Sequence, residues 1–103
     1  MLRAAIIGCG KIADQHVQAI QRLPGSQVVA VCDQEPLMAL QLAERFAIEG
    51  CYSETSEMLR SARPEVVHIT TPPQSHFDLA MRCLGAGCHV YIEKPFTVTF
   101  AEA

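Results

Sequence analysis

Short apolar runs alternate with amphipathic segments along the whole chain. Residues 2–8, LRAAIIG, form a nearly continuous apolar run ending in glycine, the pattern of a strand covered on both faces. From Lys11 to Leu23, Ile12, His16 or Val17, Ile20 and Leu23 recur at helical spacing, and Pro24-Gly25 stops that helix. Residues 27–33, QVVAVCD, are a second β-branched run ending in an acid. Pro36 suits the first turn of a second helix whose buried stripe is predicted as Leu40, Ala43 and Phe46/Ala47. Residues 50–53, GCYS, read as a short edge strand, and Ser53 or Thr55 as the cap of a brief helix burying Met58, Leu59 and Ala62. EVVHITT, residues 65–71, is a third clear strand. After the Pro72-Pro73 turn, residues 75–86 repeat the helical spacing through Phe77, Ala80 and Leu84, with Gly87 as the terminal cap. HVYIE, residues 89–93, is the last strand, and TVTFAEA, residues 97–103, resembles a cap and first turn of a further helix.

The order β-α-β-α-(β)-α-β-α-β predicts an α/β fold, a doubly wound parallel sheet of about five strands with helices on both faces. A dinucleotide-binding sheet of the usual order wants a sixth strand, so the chain reads as one domain, residues 1–103, cut from something longer.

Composition narrows the partners. Half the residues are hydrophobic and 18% are charged, so a folded core is expected rather than disorder. The net charge of −3 with no Lys/Arg cluster excludes a nucleic-acid footprint and points to small molecules or proteins. No apolar stretch approaches the roughly 20 residues of a membrane span, and glycines and charge interrupt the first run too early for a signal peptide. A soluble cytoplasmic protein is expected. The five cysteines show no CxxC pair and read as buried small hydrophobes in a reducing compartment.

The first strand runs into Gly8-Cys9-Gly10-Lys11-Ile12-Ala13, a GxGxxA pattern. Gly8 permits the tight turn, Gly10 lets the backbone approach a pyrophosphate, and Ala13 lets the helix pack closely on the sheet. The amides at the helix start then meet the phosphates. Asp33 follows at the end of the second strand, at the offset of about 20 residues where a carboxylate accepts from the adenosine ribose. Alone, Asp33 is also compatible with a capping or turn role. A carboxylate there repels a 2′-phosphate, and Gln34-Glu35-Pro36 offers no arginine, so NAD is favoured over NADP. A glycine loop and strand-end acid also occur in proteins that hold S-adenosylmethionine, although the later motifs speak against that.

In an open parallel sheet, ligands bind at the carboxyl ends of the strands. The segments after Thr71 and after Ile92 belong to that edge. Lys94 has two readings: a donor to a substrate oxygen that relays a proton, or a solvated lysine paired with Glu93. His76 opens the helix after the double proline, and cofactor contact and helix-start hydrogen bonding stand equal for it. His68 and His89 read as structural, and His16 as packing or capping. No histidine pair has metal-ligand spacing.

Taken together, AAIIGCGKIADQH, VVAVCD, HITTPPQSH and GCHVYIEKP resemble the amino-terminal domain of the Gfo/Idh/MocA oxidoreductases, a family named for glucose-fructose oxidoreductase, inositol 2-dehydrogenase and a rhizopine-catabolism protein. The resemblance runs from about Arg3 to Pro95. It implies that Gly8, Gly10, Lys11 and Ile12 form the pyrophosphate turn, that Asp33 holds the adenosine ribose, and that Thr71, Pro72 and His76 line the cofactor. Glu93, Lys94 and Pro95 match the family's EKP motif, whose lysine sits beside nicotinamide and substrate and assists hydride transfer. The implied parent is an NAD(P)-dependent dehydrogenase of a sugar, cyclitol or polyol, with a second, substrate-binding domain that this chain lacks. By itself the chain is expected to bind cofactor and catalyse little, and its uncovered sheet face and edge to favour a homo-oligomer. A non-catalytic nucleotide-binding sensor with the same fold is the alternative.

Overall fold

A computed structural model describes residues 1–92. The expected EKP motif and the further helix at 97–103 lie outside the described residues. The chain alternates β1 (Leu2–Ile7), α1 (Lys11–Gln21), β2 (Ser26–Cys32), α2 (Pro36–Phe46), β3 (Gly50–Tyr52), α3 (Thr55–Ala62), β4 (Val66–Ile69), α4 (His76–Gly85) and β5 (His89–Ile92), with a 3-10 turn at Pro73–Ser75 before α4. The strands form one parallel sheet in the order β3-β2-β1-β4-β5. Central β1 is apolar throughout its buried length because both of its faces are covered: Ala4 and Ile6 meet one layer, Ala5 and Ile7 the other.

The layers divide as right-handed crossovers require. On one side α1 and α2 bury Ala13, Val17, Ile20, Ala39, Leu42 and Ala43 against the sheet, and on the other α3 and α4 bury Met58, Ala62, Ala80 and Cys83. Ile6, Leu42 and Met58 are fully enclosed, and each such side chain contributes about 1.5–3 kcal/mol of transfer energy. A register shift between Ala4 and Ala5 leaves Val29 as an extra residue in β2, so Val29 and Ala30 face the same layer. No helix among the described residues is long and apolar enough to cross a membrane.

Several helical details depart from the apolar periodicity. Leu23 lies beyond α1 and is exposed; the buried positions are Ala13, His16, Val17 and Ile20. In α2 the stripe is Ala39, Leu42 and Ala43, with Phe46 at its margin, while Leu40 faces outward. Ala47 takes the left-handed cap conformation, at φ 55°, instead of joining the stripe. The reason is close packing: small alanines bring a helix onto a sheet where a larger side chain would hold it off. Glu54, and neither Ser53 nor Thr55, stands at the N-cap of α3, with no side-chain cap hydrogen bond. α4 buries His76, Ala80 and Cys83, leaving Phe77 and Leu84 exposed. Its cap is Ala86, and Gly87 follows at φ 88° so that the Cys88 N–H reaches the Cys83 carbonyl at 3.0 Å.

Candidate functional site

The carboxyl edge of β1 builds the first part of the site. Gly8 leaves the strand at φ 99°, and a Cβ there would come within 2.8 Å of both Thr71 N and Thr71 Cγ2. Glycine is therefore required twice, by the turn and by the close approach of the segment after β4. Gly10 is different. It is the N-cap of α1 at an ordinary φ of −80°, and a Cβ there would meet nothing within 4 Å. Among the described residues nothing demands a glycine at this position, whereas a ligand lying against the backbone would. Ala13, fully buried, seats α1 on the sheet as its place in the pattern predicts. No side chain caps α1, Lys11 at its first position is exposed, and Ile12 is half-buried.

Asp33 reaches this turn from β2. Its Oδ2 accepts the Cys9 N–H at 2.7 Å and its Oδ1 accepts the Glu35 N–H at 2.8 Å. The acid thus fastens the glycine turn to the start of α2, and its half-buried carboxylate is at the sheet edge where the sequence places it. The Cys32 carbonyl accepts the Gly8 N–H at 2.8 Å and the Cys9 thiol at 3.3 Å. Burial pushes the Cys9 thiol up to about 12, and the neighbouring Asp33 carboxylate adds to the effect. Cys9 is accordingly a protonated donor that helps hold the turn.

From β4, Thr70 contributes a fastening that the sequence did not single out. Its hydroxyl donates to the Ile7 and Gly8 carbonyls, and its N–H to the Ile7 carbonyl at 2.9 Å. Recognising it needs the β1–β4 register, which composition does not carry; a hydroxyl at a strand end is the one local signal. Thr71 follows directly over Gly8, Pro72 is exposed, and His76 is buried with Nε2 2.7 Å from the Thr71 carbonyl oxygen. The Thr71 hydroxyl and His76 Nδ1 are buried without a hydrogen-bond partner. Such atoms are rare in native proteins and concentrate at functional sites.

Beside the turn lies a groove of about 370 Å³ lined by Cys9, Gly10, Lys11, Asp14, Met38, Gln41 and Arg45. An Arg45–Asp14 ion pair of 2.9 Å joins α2 to α1 there. His16 and His68 approach through their Nδ1 atoms at 2.8 Å, and the His68 ring stacks on Tyr91 at 5.0 Å. His89 is exposed. Among the described residues no group of three or more His, Cys, Asp or Glu is placed to hold a metal ion.

The structure therefore brings Gly8, Gly10, Lys11, Asp33 and Thr71 to one edge, with His76 behind Thr71. Glu93, Lys94 and Pro95 lie outside the described residues. Sheet order, glycine turn and strand-end acid define a Rossmann-like α/β domain. The chain belongs to the oxidoreductase family with an NAD-binding Rossmann fold, Gfo/Idh/MocA, whose pattern matches residues 2–103. It is 36% identical over 103 residues to a D-glucoside 3-dehydrogenase of Escherichia coli, covering 99% of this chain and 29% of the relative. An inositol 2-dehydrogenase of Salmonella typhimurium is 35% identical over 103 residues, covering 98% of this chain and 31% of the relative. Among solved structures, the WlbA dehydrogenase of Bordetella pertussis in complex with NADH and UDP-GlcNAcA superposes with a TM-score of 0.87 at 27% identity, over 98% of this chain and 31% of that one. The chain spans less than a third of the length of each of these relatives.

Proposed function

We propose that this chain is the cofactor-holding part of a dehydrogenase that moves a hydride between NAD and a hydroxyl-bearing carbon of a sugar, cyclitol or polyol. The observation that carries the reading is Gly10, a glycine that no described residue's packing requires, placed where α1 begins. The amides of Gly10, Lys11 and Ile12 face the pyrophosphate, aided by the positive end of the α1 dipole. Each Asp33 oxygen accepts one backbone N–H and retains a lone pair for a ribose hydroxyl. The same negative charge disfavours a 2′-phosphate, and NAD is the preferred cofactor. Thr71 and Pro72 form the wall along the dinucleotide.

When bound, NAD supplies the hydride-exchanging carbon. Lys94, by its resemblance to the family motif, would donate a hydrogen bond to the substrate oxygen and steady the charge that develops there. The substrate class rests on the relatives named as glucoside and inositol dehydrogenases.

Calorimetric titration of the chain with NADH, NADPH and S-adenosylmethionine tests this. Binding of NADH, weaker binding of NADPH and none of S-adenosylmethionine are expected. Binding of S-adenosylmethionine without NADH would overturn the reading.

A further inference from the structure

His76 heads α4 and is 1% exposed. Its Nε2 lies 2.7 Å from the Thr71 carbonyl oxygen. A carbonyl oxygen can only accept, so Nε2 carries a proton, and in a ring with a single proton Nδ1 is then a bare acceptor. Nδ1 is buried and has no partner among the described residues, so the contact to Thr71 is the hydrogen bond that fixes this ring there.

What it fixes is the path of the chain over the glycine turn. Thr70 pins the end of β4 to the Ile7 and Gly8 carbonyls. One residue on, Thr71 N and Cγ2 press against Gly8 so closely that a Cβ would not fit. The Thr71 carbonyl is the next group along, and His76 holds it from behind, five residues away. Between them Thr70 and His76 determine where the peptide after Gly8 lies, and hence the wall a dinucleotide meets.

We propose that His76 is a positioning residue of the cofactor site, acting through the Thr71 main chain in its Nε2-protonated form and not by touching the dinucleotide. The inference rests on the NAD-binding reading above. It explains why a polar ring is fully buried at a helix start where an apolar side chain would pack at lower cost. A leucine would fill similar volume but leave the Thr71 carbonyl without its donor. A glutamine carries its amide nitrogen near the position of Nε2, whereas an asparagine carries it near Nδ1.

The test compares NADH affinity of the wild type, His76→Gln, His76→Asn and His76→Leu by fluorescence titration, together with long-range ¹H–¹⁵N NMR of the wild-type ring. His76→Gln should bind within about threefold of wild type, and His76→Asn and His76→Leu about tenfold more weakly. The NMR should show the Nε2-protonated tautomer with and without NADH. Equal binding by all the variants, a loss in His76→Gln as large as in His76→Leu, or an Nδ1-protonated ring would overturn the inference. If His76→Leu fails to fold, as circular dichroism would reveal, the Gln–Asn comparison and the tautomer decide. A wild-type chain that binds no NADH contradicts the parent reading instead, while the tautomer still tests the clamp on Thr71.

Discussion

The Asp33 carboxylate holds the Cys9 N–H at 2.7 Å, tying the turn after β1 to the acid that ends β2. An acid proposed to receive a ribose also organises the loop proposed to receive the phosphates. Asp33→Asn retains one acceptor oxygen and leaves either the Cys9 or the Glu35 amide without its carboxylate partner. Urea unfolding should show a loss of about 1–3 kcal/mol, and NADH affinity should fall with it.

Gly8 and Gly10 should respond in opposite ways to the same methyl group. Gly8→Ala combines a φ of 99° with a 2.8 Å approach to Thr71 backbone, and its stability should drop by about 2 kcal/mol or more. Gly10→Ala meets no protein atom and should unfold within about 0.5 kcal/mol of wild type. Its NADH affinity should nonetheless fall at least roughly tenfold, because the added carbon occupies the space of the pyrophosphate. Denaturant curves and NADH titrations on the two variants separate these effects.

Thiol chemistry distinguishes one cysteine from four. Cys51 is exposed on edge strand β3, while Cys9, Cys32, Cys83 and Cys88 are buried. Peptide mapping after brief iodoacetamide treatment at pH 8 should find Cys51 alkylated and the buried four protected until the protein is unfolded.

The same burial sets an alkaline limit. Desolvation raises the Cys9 and Cys83 thiols from the ordinary 9.0 to about 12. In the unfolded chain these groups ionise first, so the native state binds more protons above pH 9. Their contribution to stability is complete below the unfolded value and is lost as pH rises from about 9 towards 12. Each thiol should cost on the order of 1 kcal/mol per pH unit in that window, measured as a falling urea midpoint. Cys83→Ala should flatten the slope.

Ala47 ends α2 in the left-handed region, at φ 55°, a conformation that disfavours a Cβ. Ala47→Gly should raise stability by about 1 kcal/mol, seen as a higher melting temperature.

Strands β2 and β4 are legible in their β-branched runs, and β1 in an apolar run that both layers cover. Gly8, Ala13 and Asp33 are legible because turn, close packing and strand-end acid each demand a particular residue type, whereas Gly10 is legible only as part of the glycine pattern. Less was visible where several residue types serve. The apolar pattern misplaces the α2 stripe because Leu40 outweighs Ala39 in it, although the alanine is the one against the sheet. The Val29 bulge and the Thr70 fastening depend on the register of β1 with its neighbours, which is a pairing property and not a local one. For His76 the sequence left cofactor contact and a helix-start bond equal; its burial and its reach back to Thr71 required the fold.

The central claim is that a dinucleotide lies on the glycine turn between Asp33 and Thr71. Amide chemical-shift mapping of the chain during an NADH titration tests it most directly. The account predicts that the largest shifts fall on Gly8, Cys9, Gly10, Lys11, Ile12, Asp33 and Thr71, with Leu2, Leu23 and His89 at the opposite groove unmoved. Shifts centred on that opposite groove, or no saturable shifts at all, would contradict it.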